Sequence, residues 1–440
     1  MQNIFDFFSS AELAQHDEYD CREDCFMRLF DGMSAERFDG YIAFLENADF
    51  CVLQKRELDG NLFAALKSEK EQVNVLFTPC NSEMRVTVSE KDRTPNFTKP
   101  ECKGECETVF YGFENDQTMI DCGMCLLIQC PDYSFFVVDS GHYFQFNDND
   151  RIHKFMRDRT PEGQKIVVNG WLITHAHTDH ISKLIDFLKY NTDDVVIEGF
   201  YQNLLSENYD KCSDNHEEQE MAVKLFNILE KYPAPVYKLH TGMRFYIRNL
   251  AFDVLGTHED IYPEKITDYN DSSCIVMVEA EGSKVFIPGD AAVAASVRLE
   301  ERFSTALKCD VVQVAHHGHT GLSKNLYELL GADTAVFPVT RIFYEDDMGK
   351  REANKRIAEL ATHCLVTGDG TVCVPLPYNK KTVYTLPDET FEDFGKIERV
   401  WKYTYSDERM TELYELFLSN GGNPDNLLLP TSKFGWIEPK

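Results

Sequence analysis

Residues 174–181 read Thr-His-Ala-His-Thr-Asp-His-Ile and directly follow the apolar run Trp171-Leu172-Ile173. Four metal-ligand groups this close together are unfavourable in an ordinary core, because each needs its own buried partner unless a cation lies among them. In strand geometry His175 and His177 point to the same face. Asp179 and His180 then come from the turn that opens the next helix. The spacing predicts ligands for two adjacent divalent ions.

Three further groups stand at the carboxyl ends of apolar runs. Asp139 ends the run that begins at Phe135, and Asp290 ends the one that begins at Lys284. The pair His316-His317 follows the run that begins at Val311. Carboxylates and imidazoles at the ends of strands are the groups that a metal site at one edge of a sheet requires.

These four elements, in this order, resemble the signature of the metallo-β-lactamase superfamily. The resemblance covers about residues 118–376 and implies an α/β fold, the αββα sandwich. Finer motifs resemble the hydrolase domain of the DNA-uptake protein ComEC and its relatives, namely Gly123-Met124-Cys125-Leu126-Leu127-Ile128, Asn270-Asp271-Ser272-Ser273, Gly289-Asp290, His316-His317-Gly318 and Thr367-Gly368-Asp369-Gly370. The chain departs from that branch at His319, where relatives usually have serine, and at His258, where they often have no histidine.

The resemblance implies a role for each ligand. His175 and His177 would bind the first metal, Asp179 and His180 the second, and Asp290 would bridge both. Two zinc ions are expected, with manganese or iron as alternatives, since imidazole and carboxylate ligands accept all three. A hydroxide held between them would be the nucleophile, because zinc lowers the pKa of bound water to about 7. The diiron branch of the superfamily has a glutamate where this chain has His177, which favours hydrolysis.

Other assignments leave alternatives open. We expect His316 to bind the second metal and His317 to act catalytically beside Asp179 and Asp290, although the order of the two histidines could be reversed. His258 is the candidate for the third ligand of the first metal, with His240 as the weaker alternative. We expect Asp139 to hold the ligand loop by hydrogen bonds. Asn270, Ser273 and His319 are candidates for substrate contacts or loop braces.

The chain divides into three predicted parts. Residues 1–115 are expected to form a small α+β domain of unknown role, with a helix over Ala35–Glu46 and several short strands. The polar stretch Lys91 to Gly104 is expected to be a linker. Residues 116–385 would form the hydrolase domain, which lacks room for the β-CASP insertion since only 25 residues separate Asp290 from His316. Residues 386–440 would form a helical extension on the sandwich.

The composition of the chain limits the kinds of partner and cellular location that we expect. With 440 residues, 43% of them hydrophobic, the chain can build a sizeable core. The formal net charge of −30 disfavours binding to long nucleic acids. No basic leader or long apolar stretch stands out, so we expect a cytoplasmic protein without a membrane span and with its cysteines as thiols. A protein partner could bind the N-terminal domain.

The leading functional prediction is hydrolysis of phosphodiesters by a dinuclear centre, on a small or short substrate because of the acidity. Hydrolysis of another small ester, lactone or amide is the first alternative, since this fold supports many chemistries. A metal-holding scaffold protein without turnover is the alternative from another class, and the complete ligand set argues against it.

Overall fold

The computed structural model describes residues 4–15, 17–22, 24–114, 123–143, 145, 148–205, 216–348 and 351–386. The predicted C-terminal extension beyond Leu386 therefore lies outside the described residues. Three β-sheets organise the described part of the chain. Within that part, every helix is too short or too polar to cross a lipid bilayer.

The N-terminal part is an antiparallel sheet with one helix on it. Its strands follow the order β1-β2-β6-β5-β4-β3. The helix begins after Ser34, whose side chain accepts a hydrogen bond from the Arg37 amide, as an N-cap does. The elements are β1 Tyr19–Asp20, β2 Cys25–Phe30, α1 Ala35–Glu46, β3 Cys51–Leu58, β4 Asn61–Lys67, β5 Gln72–Thr78 and β6 Glu83–Ser89.

The second sheet has the order β13-β12-β10-β9-β8-β7-β21-β22, with β11 also paired to β10. Strands β9 to β13 pair in parallel, and β7, β8, β21 and β22 are antiparallel to their neighbours. The elements in chain order are β7 Thr108–Gly112, β8 Cys125–Gln129, β9 Phe135–Asp139, α2 Asp148–Asp158, β10 Ile166–Ile173, α3 Thr178–Tyr190, β11 Val195–Ile197, β12 Phe200–Gln202, α4 His216–Leu229 and β13 Val236–Lys238.

The third sheet runs in the order β14-β15-β16-β17-β18-β19-β20. Its first four strands pair antiparallel and its last four in parallel. The elements are β14 Arg244–Ile247, β15 Leu250–Gly256, β16 Ile275–Ala280, β17 Ser283–Ile287, α5 Val293–Phe303, β18 Val311–Gln313, α6 Lys324–Leu330, β19 Thr334–Phe337, α7 Arg341–Met348, α8 Glu352–Leu360 and β20 His363–Val366, before β21 Thr371–Leu376 and β22 Tyr384–Leu386 return to the second sheet.

The second and third sheets pack face to face, with helices on both outer faces. Side chains from each sheet meet in one buried core, which includes Phe136 and Leu172 from one side and Val276 from the other. Helices α2, α3 and α4 cover the second sheet, and α5, α6 and α8 cover the third. This layering is the predicted αββα sandwich, and it arises because each strand alternates its side chains between a helix-facing and a sheet-facing core.

The N-terminal sheet shares the core of the sandwich. Along β4, Ala64 and Leu66 face α1, whereas Phe63 and Ala65 lie in the core between the two other sheets. Gly242 permits this approach, since a Cβ there would lie 2.8 Å from the Phe63 ring. Strand pairing also corrects the predicted boundary at residue 115, because residues 108–112 already belong to the second sheet.

Candidate metal centre

Four strand ends bring the predicted ligands to one rim of the sandwich. Strand β9 ends at Asp139, β10 leads into the histidine motif, β17 leads to Asp290, and β18 leads to the paired histidines. Gly289 is required beside Asp290, because its φ is +59° and a Cβ would lie 3.0 Å from Thr174. The close approach of these two loops joins the second sheet to the third at the site.

The structure assembles one compact group of ligands from Asp179, His180, Asp290 and His317, whose ligand atoms all lie within 4.8 Å of one another. His180 Nε2 is 3.1 Å from Asp290 Oδ2 and 3.2 Å from His317 Nε2. His317 Nε2 is 3.0 Å from Asp179 Oδ2. Ligands about 2.0–2.1 Å from a tetrahedral zinc ion lie roughly 3.3 Å apart, so these separations suit a single ion.

His175 and His177 stand beside this group. His175 Nε2 lies 3.1 Å from His177 Nδ1, which is the spacing of two ligands on one ion, and 3.9 Å from Asp290 Oδ2. His177 Nε2 points away, to 3.5 Å from Asp268 Oδ1. Asp290 therefore lies between two sets of nitrogen atoms, as a bridging ligand would.

Asp139 holds this arrangement by hydrogen bonds, as predicted from the resemblance. It accepts from the Thr174 amide at 2.8 Å and from the Thr174 hydroxyl at 2.6 Å, which fixes the start of the motif. Its Oδ2 lies 2.7 Å from His180 Nδ1. Because Nδ1 of His180 donates there, Nε2 is left as the ligand atom and faces Asp290.

The order of the paired histidines is the reverse of the expectation. His317, and not His316, points into the ligand group, and its Nδ1 donates to the Pro338 carbonyl at 2.7 Å. His316 lies at the edge, with Nδ1 2.6 Å from Thr320 Oγ1 and Nε2 3.5 Å from Asn270 Nδ2. Both histidines have left-handed backbone, with φ of 51° and 55°, and this tight turn aims the second ring inward.

His258 and His240 lie away from the ligand group and correct the expected third ligand. The Tyr19 hydroxyl lies 2.6 Å from His258 Nδ1, and Asn203 Oδ1 lies 2.9 Å from its Nε2, so both ring nitrogens are already bonded. His240 Nδ1 lies 2.8 Å from Glu259 Oε1. Both histidines are buried, and Tyr19 of β1 in the N-terminal sheet contacts His258.

The remaining candidates differ in position. Ser273 is a loop brace, since its hydroxyl accepts from the Asp290 amide at 3.1 Å. Asn270 lies beside His316 at the rim. His319 packs its ring edge-on against Phe343, with centroids 5.3 Å apart.

Two acidic groups near the motif had no sequence signal. Glu218, on α4, accepts from the Thr178 amide at 2.7 Å and from its hydroxyl at 3.2 Å, and so caps the helix that carries Asp179 and His180. Burial raises the pKa of Glu218 to about 7. Asp268 lies beside the outer nitrogen of His177. Neither could be found from spacing, because each meets the motif only through the fold.

The electrostatics of the centre favour a bound cation. The carboxylate of Asp290 is buried, and its Oδ2 faces imidazole nitrogens, with His180 Nε2 at 3.1 Å, His317 Nε2 at 3.3 Å and His175 Nε2 at 3.9 Å. Burial alone would lower the pKa of His180, yet the carboxylates of Asp290, Asp179 and Asp139 raise it to about 10. Burial and the neighbouring His180 hold the pKa of His175 well below its usual value, and the neutral imidazole is the form that binds metals. The residues present therefore fit divalent metal ions.

Comparisons with known proteins found distant structural likenesses. No family model matches the chain, and no curated protein matches it. Among solved structures, the YhfI metallo-β-lactamase fold protein from Bacillus subtilis is 11% identical, with a TM-score of 0.35, over 59% of this chain and 96% of its own. Unliganded yeast PDE1 is 12% identical, with a TM-score of 0.37, over 59% of this chain and 98% of its own. The diiron β-hydroxylase CmlA from Streptomyces venezuelae is 12% identical, with a TM-score of 0.36, over 63% and 55%.

The layers and the order of the ligand loops are those expected of the metallo-β-lactamase fold. Its two sheets contribute ligands from opposite sides, with the histidine motif on the second sheet and Asp290 and His317 on the third.

Proposed function

We propose that this protein is a metal-dependent hydrolase. The observation that carries the proposal is the compact group of Asp179, His180, Asp290 and His317, in which the buried carboxylate of Asp290 lies between two sets of imidazole nitrogens. Burying two carboxylates among several imidazoles is costly, and a divalent cation held among them would compensate their charge. Zinc is the proposed metal, since three or more imidazoles with carboxylates suit it.

Two such ions, held by these residues, would supply a hydroxide nucleophile at neutral pH and would neutralise charge on the group attacked. The residues of the chain do the rest. Asp139 and Pro338 fix His180 and His317 through their outer nitrogens, so that Nε2 of each faces the centre. Ser273 fixes the Asp290 backbone, and Thr174 fixes the loop that carries His175. The site is thereby held in one geometry before substrate arrives.

The proposed substrate is a phosphodiester. A pair of adjacent cations suits the attacking and leaving oxygens of in-line displacement at phosphorus, and the finer motifs resemble the ComEC-type hydrolase. The net charge of −30 would slow the approach of a long polyanion, which favours a small or short diester. Tyr269 and Asn270 lie in the turn beside the centre, and the Tyr269 ring is 5.6 Å from the His177 ring. We expect these two residues to line the entrance to the site.

The test is turnover of a chromogenic aryl phosphodiester by protein loaded with zinc or manganese, measured beside single-stranded DNA, a lactone and a β-lactam. We expect the diester to be cleaved and chelator to abolish the reaction. Asp290→Asn should remove activity and lower the metal content, whereas Asp194→Asn, a change at a half-exposed side chain, should do neither.

The outcomes separate the alternatives. Cleavage of the lactone or β-lactam with both diesters intact would replace the phosphodiester proposal with a small-ester hydrolase. Stoichiometric metal binding with no turnover of any substrate would leave the scaffold function.

A further inference from the structure

Two cysteines face each other in the N-terminal sheet, outside the ligand group of the metal centre. Cys21 directly follows β1 and Cys25 begins β2, and the amide of Cys21 donates to the carbonyl of Cys25 at 2.9 Å. Residues opposite each other in antiparallel strands have Cα atoms about 4.5–5.5 Å apart, which lies within the range of roughly 4.4–6.8 Å that a disulfide bond spans. The two thiols are in hydrogen-bond contact with each other. The pair is therefore placed for a covalent bond between the sulfur atoms.

The chain reverses direction between the two cysteines. Arg22 and Asp24 have left-handed backbone, with φ of 68° and 59°, and Asp24 is exposed. The two thiols lie on the inner side of the hairpin in a buried cluster with Tyr19, where Cys21 is 0% and Cys25 4% exposed. Cys25 is the more exposed of the two and adjoins Asp24, so a small oxidant reaches Cys25 first.

The surroundings of the pair favour a thiolate on Cys25. The hydrogen bond with the Cys21 thiol lowers the pKa of Cys25. The positive charges of Lys238 and His240 act in the same direction, while burial and Glu259 oppose them. Burial raises the pKa of Cys21 well above its usual value, so Cys21 keeps its proton. The thiolate is the nucleophilic form of cysteine, and a thiolate beside a second thiol is the arrangement of an attacking and a resolving cysteine.

We propose that Cys21 and Cys25 form a redox modification site, a dithiol that hydrogen peroxide converts to a disulfide. The Cys25 thiolate attacks one oxygen of the peroxide, the O–O bond breaks, and Cys25 becomes a sulfenic acid with release of hydroxide. The Cys21 sulfur then attacks the Cys25 sulfur, and the sulfenic hydroxyl leaves with the Cys21 proton as water. The two thiols lose two electrons, and one peroxide becomes two waters once the hydroxide takes up the proton that Cys25 lost. The disulfide would fix the end of the hairpin whose Tyr19 hydroxyl bonds to His258.

The experiment uses the full chain loaded with zinc and treated with hydrogen peroxide under native conditions. Free thiols are then blocked with an alkylating reagent in denaturant, and the protein is digested with trypsin for mass spectrometry. Trypsin cuts after Arg22 and Arg28, so the two resulting peptides stay together only when Cys21 and Cys25 are linked. Burial raises the pKa of the Cys274 thiol, and we expect the linked pair to form about tenfold faster than Cys274 is oxidised.

Three variants test the assigned roles. Cys21→Ser removes the resolving thiol, and dimedone should then trap a sulfenic acid on Cys25. Cys25→Ser removes the attacking thiol, and Cys21 should then stay unmodified. Cys80→Ser, at an exposed cysteine, is the matched control and should leave formation of the linked pair unchanged.

Other outcomes overturn the inference. The dithiol is not a peroxide site if no linked pair forms at peroxide concentrations that oxidise the exposed Cys51, or if the pair forms in urea alone. A sulfenic acid trapped on Cys21 in Cys25→Ser would overturn the order of attack. Each readout is a covalent change in the protein and requires no turnover, so the inference stands or fails independently of the proposed function.

Discussion

Replacing Asp260 by asparagine should destabilise the N-terminal sheet and the sandwich together. Asp260 lies between them, buried at 8% exposure, and pairs with Arg85 of β6 and with Arg302 of α5. Burial alone would raise its pKa, but Arg302 and Arg85 hold the pKa of this carboxyl well below its usual value. The substitution leaves two buried guanidinium groups facing each other without that charge. Breaking a buried pair costs about 3–5 kcal/mol, a large part of the roughly 5–15 kcal/mol that stabilises a typical domain.

The assay is urea unfolding, with hydrogen exchange read by mass spectrometry on peptides from β4 and from β16. We expect Asp260→Asn to lower the free energy of unfolding by about 4 kcal/mol and to reduce protection in both peptides. Asp39→Asn is the control, since its pair with Lys55 is 59% and 48% exposed and should be worth less than about 1 kcal/mol. A change of under 1 kcal/mol in Asp260→Asn, or loss of protection in β4 alone, would refute the shared core.

Three other changes should be visible. Burial lowers the pKa of His258 to about 4, below its value near 6.5 in the unfolded chain. The contribution of His258 to stability should therefore be full above pH 6.5 and fall by roughly 3 kcal/mol as the pH drops towards 4. Urea unfolding at pH 7 and pH 4.5 would measure this loss, and His258→Gln should flatten the pH dependence. Trypsin should cut after the exposed Lys103, yet the fragments should co-elute on gel filtration because they share a core, and their separation would contradict this. Glu218→Ala removes the cap on the ligand helix and should weaken zinc binding about tenfold in a competition titration with a chelator, whereas unchanged affinity would limit Glu218 to a structural role.

The parts of the site that sequence could predict are those set by local chain geometry. The order of His175, His177, Asp179 and His180 along a strand end and a helix start fixes their relative directions. Asp139 ends the strand that pairs with the motif strand, whereas Asp290 follows a strand of the facing sheet. His317 could not be distinguished from His316, because the choice depends on left-handed backbone at both residues. Spacing and residue type carry no information on that.

The assignments that failed depend on contacts between distant segments. His258 was predicted as a ligand because it precedes the Cys274 to Ala280 strand, where the superfamily often supplies a histidine, yet Tyr19, 239 residues away, bonds to its Nδ1. The N-terminal sheet was predicted as a separate domain because its contacts with the sandwich join segments that are distant in sequence. A signal for its second buried face was present in the nearly continuous apolar run of β4, Leu62 to Leu66. Such a run is typical of a strand covered on both sides.

The two halves of the sandwich meet at the centre through residues from different sheets, His180 on one side and Asp290 and His317 on the other. A cation bound there would link the two sheets and stabilise the folded state, because its ligands come together only in the native chain. Metal supply would then govern how long each molecule stays folded as well as how fast it reacts. Without metal, the protein would be less stable as well as inactive.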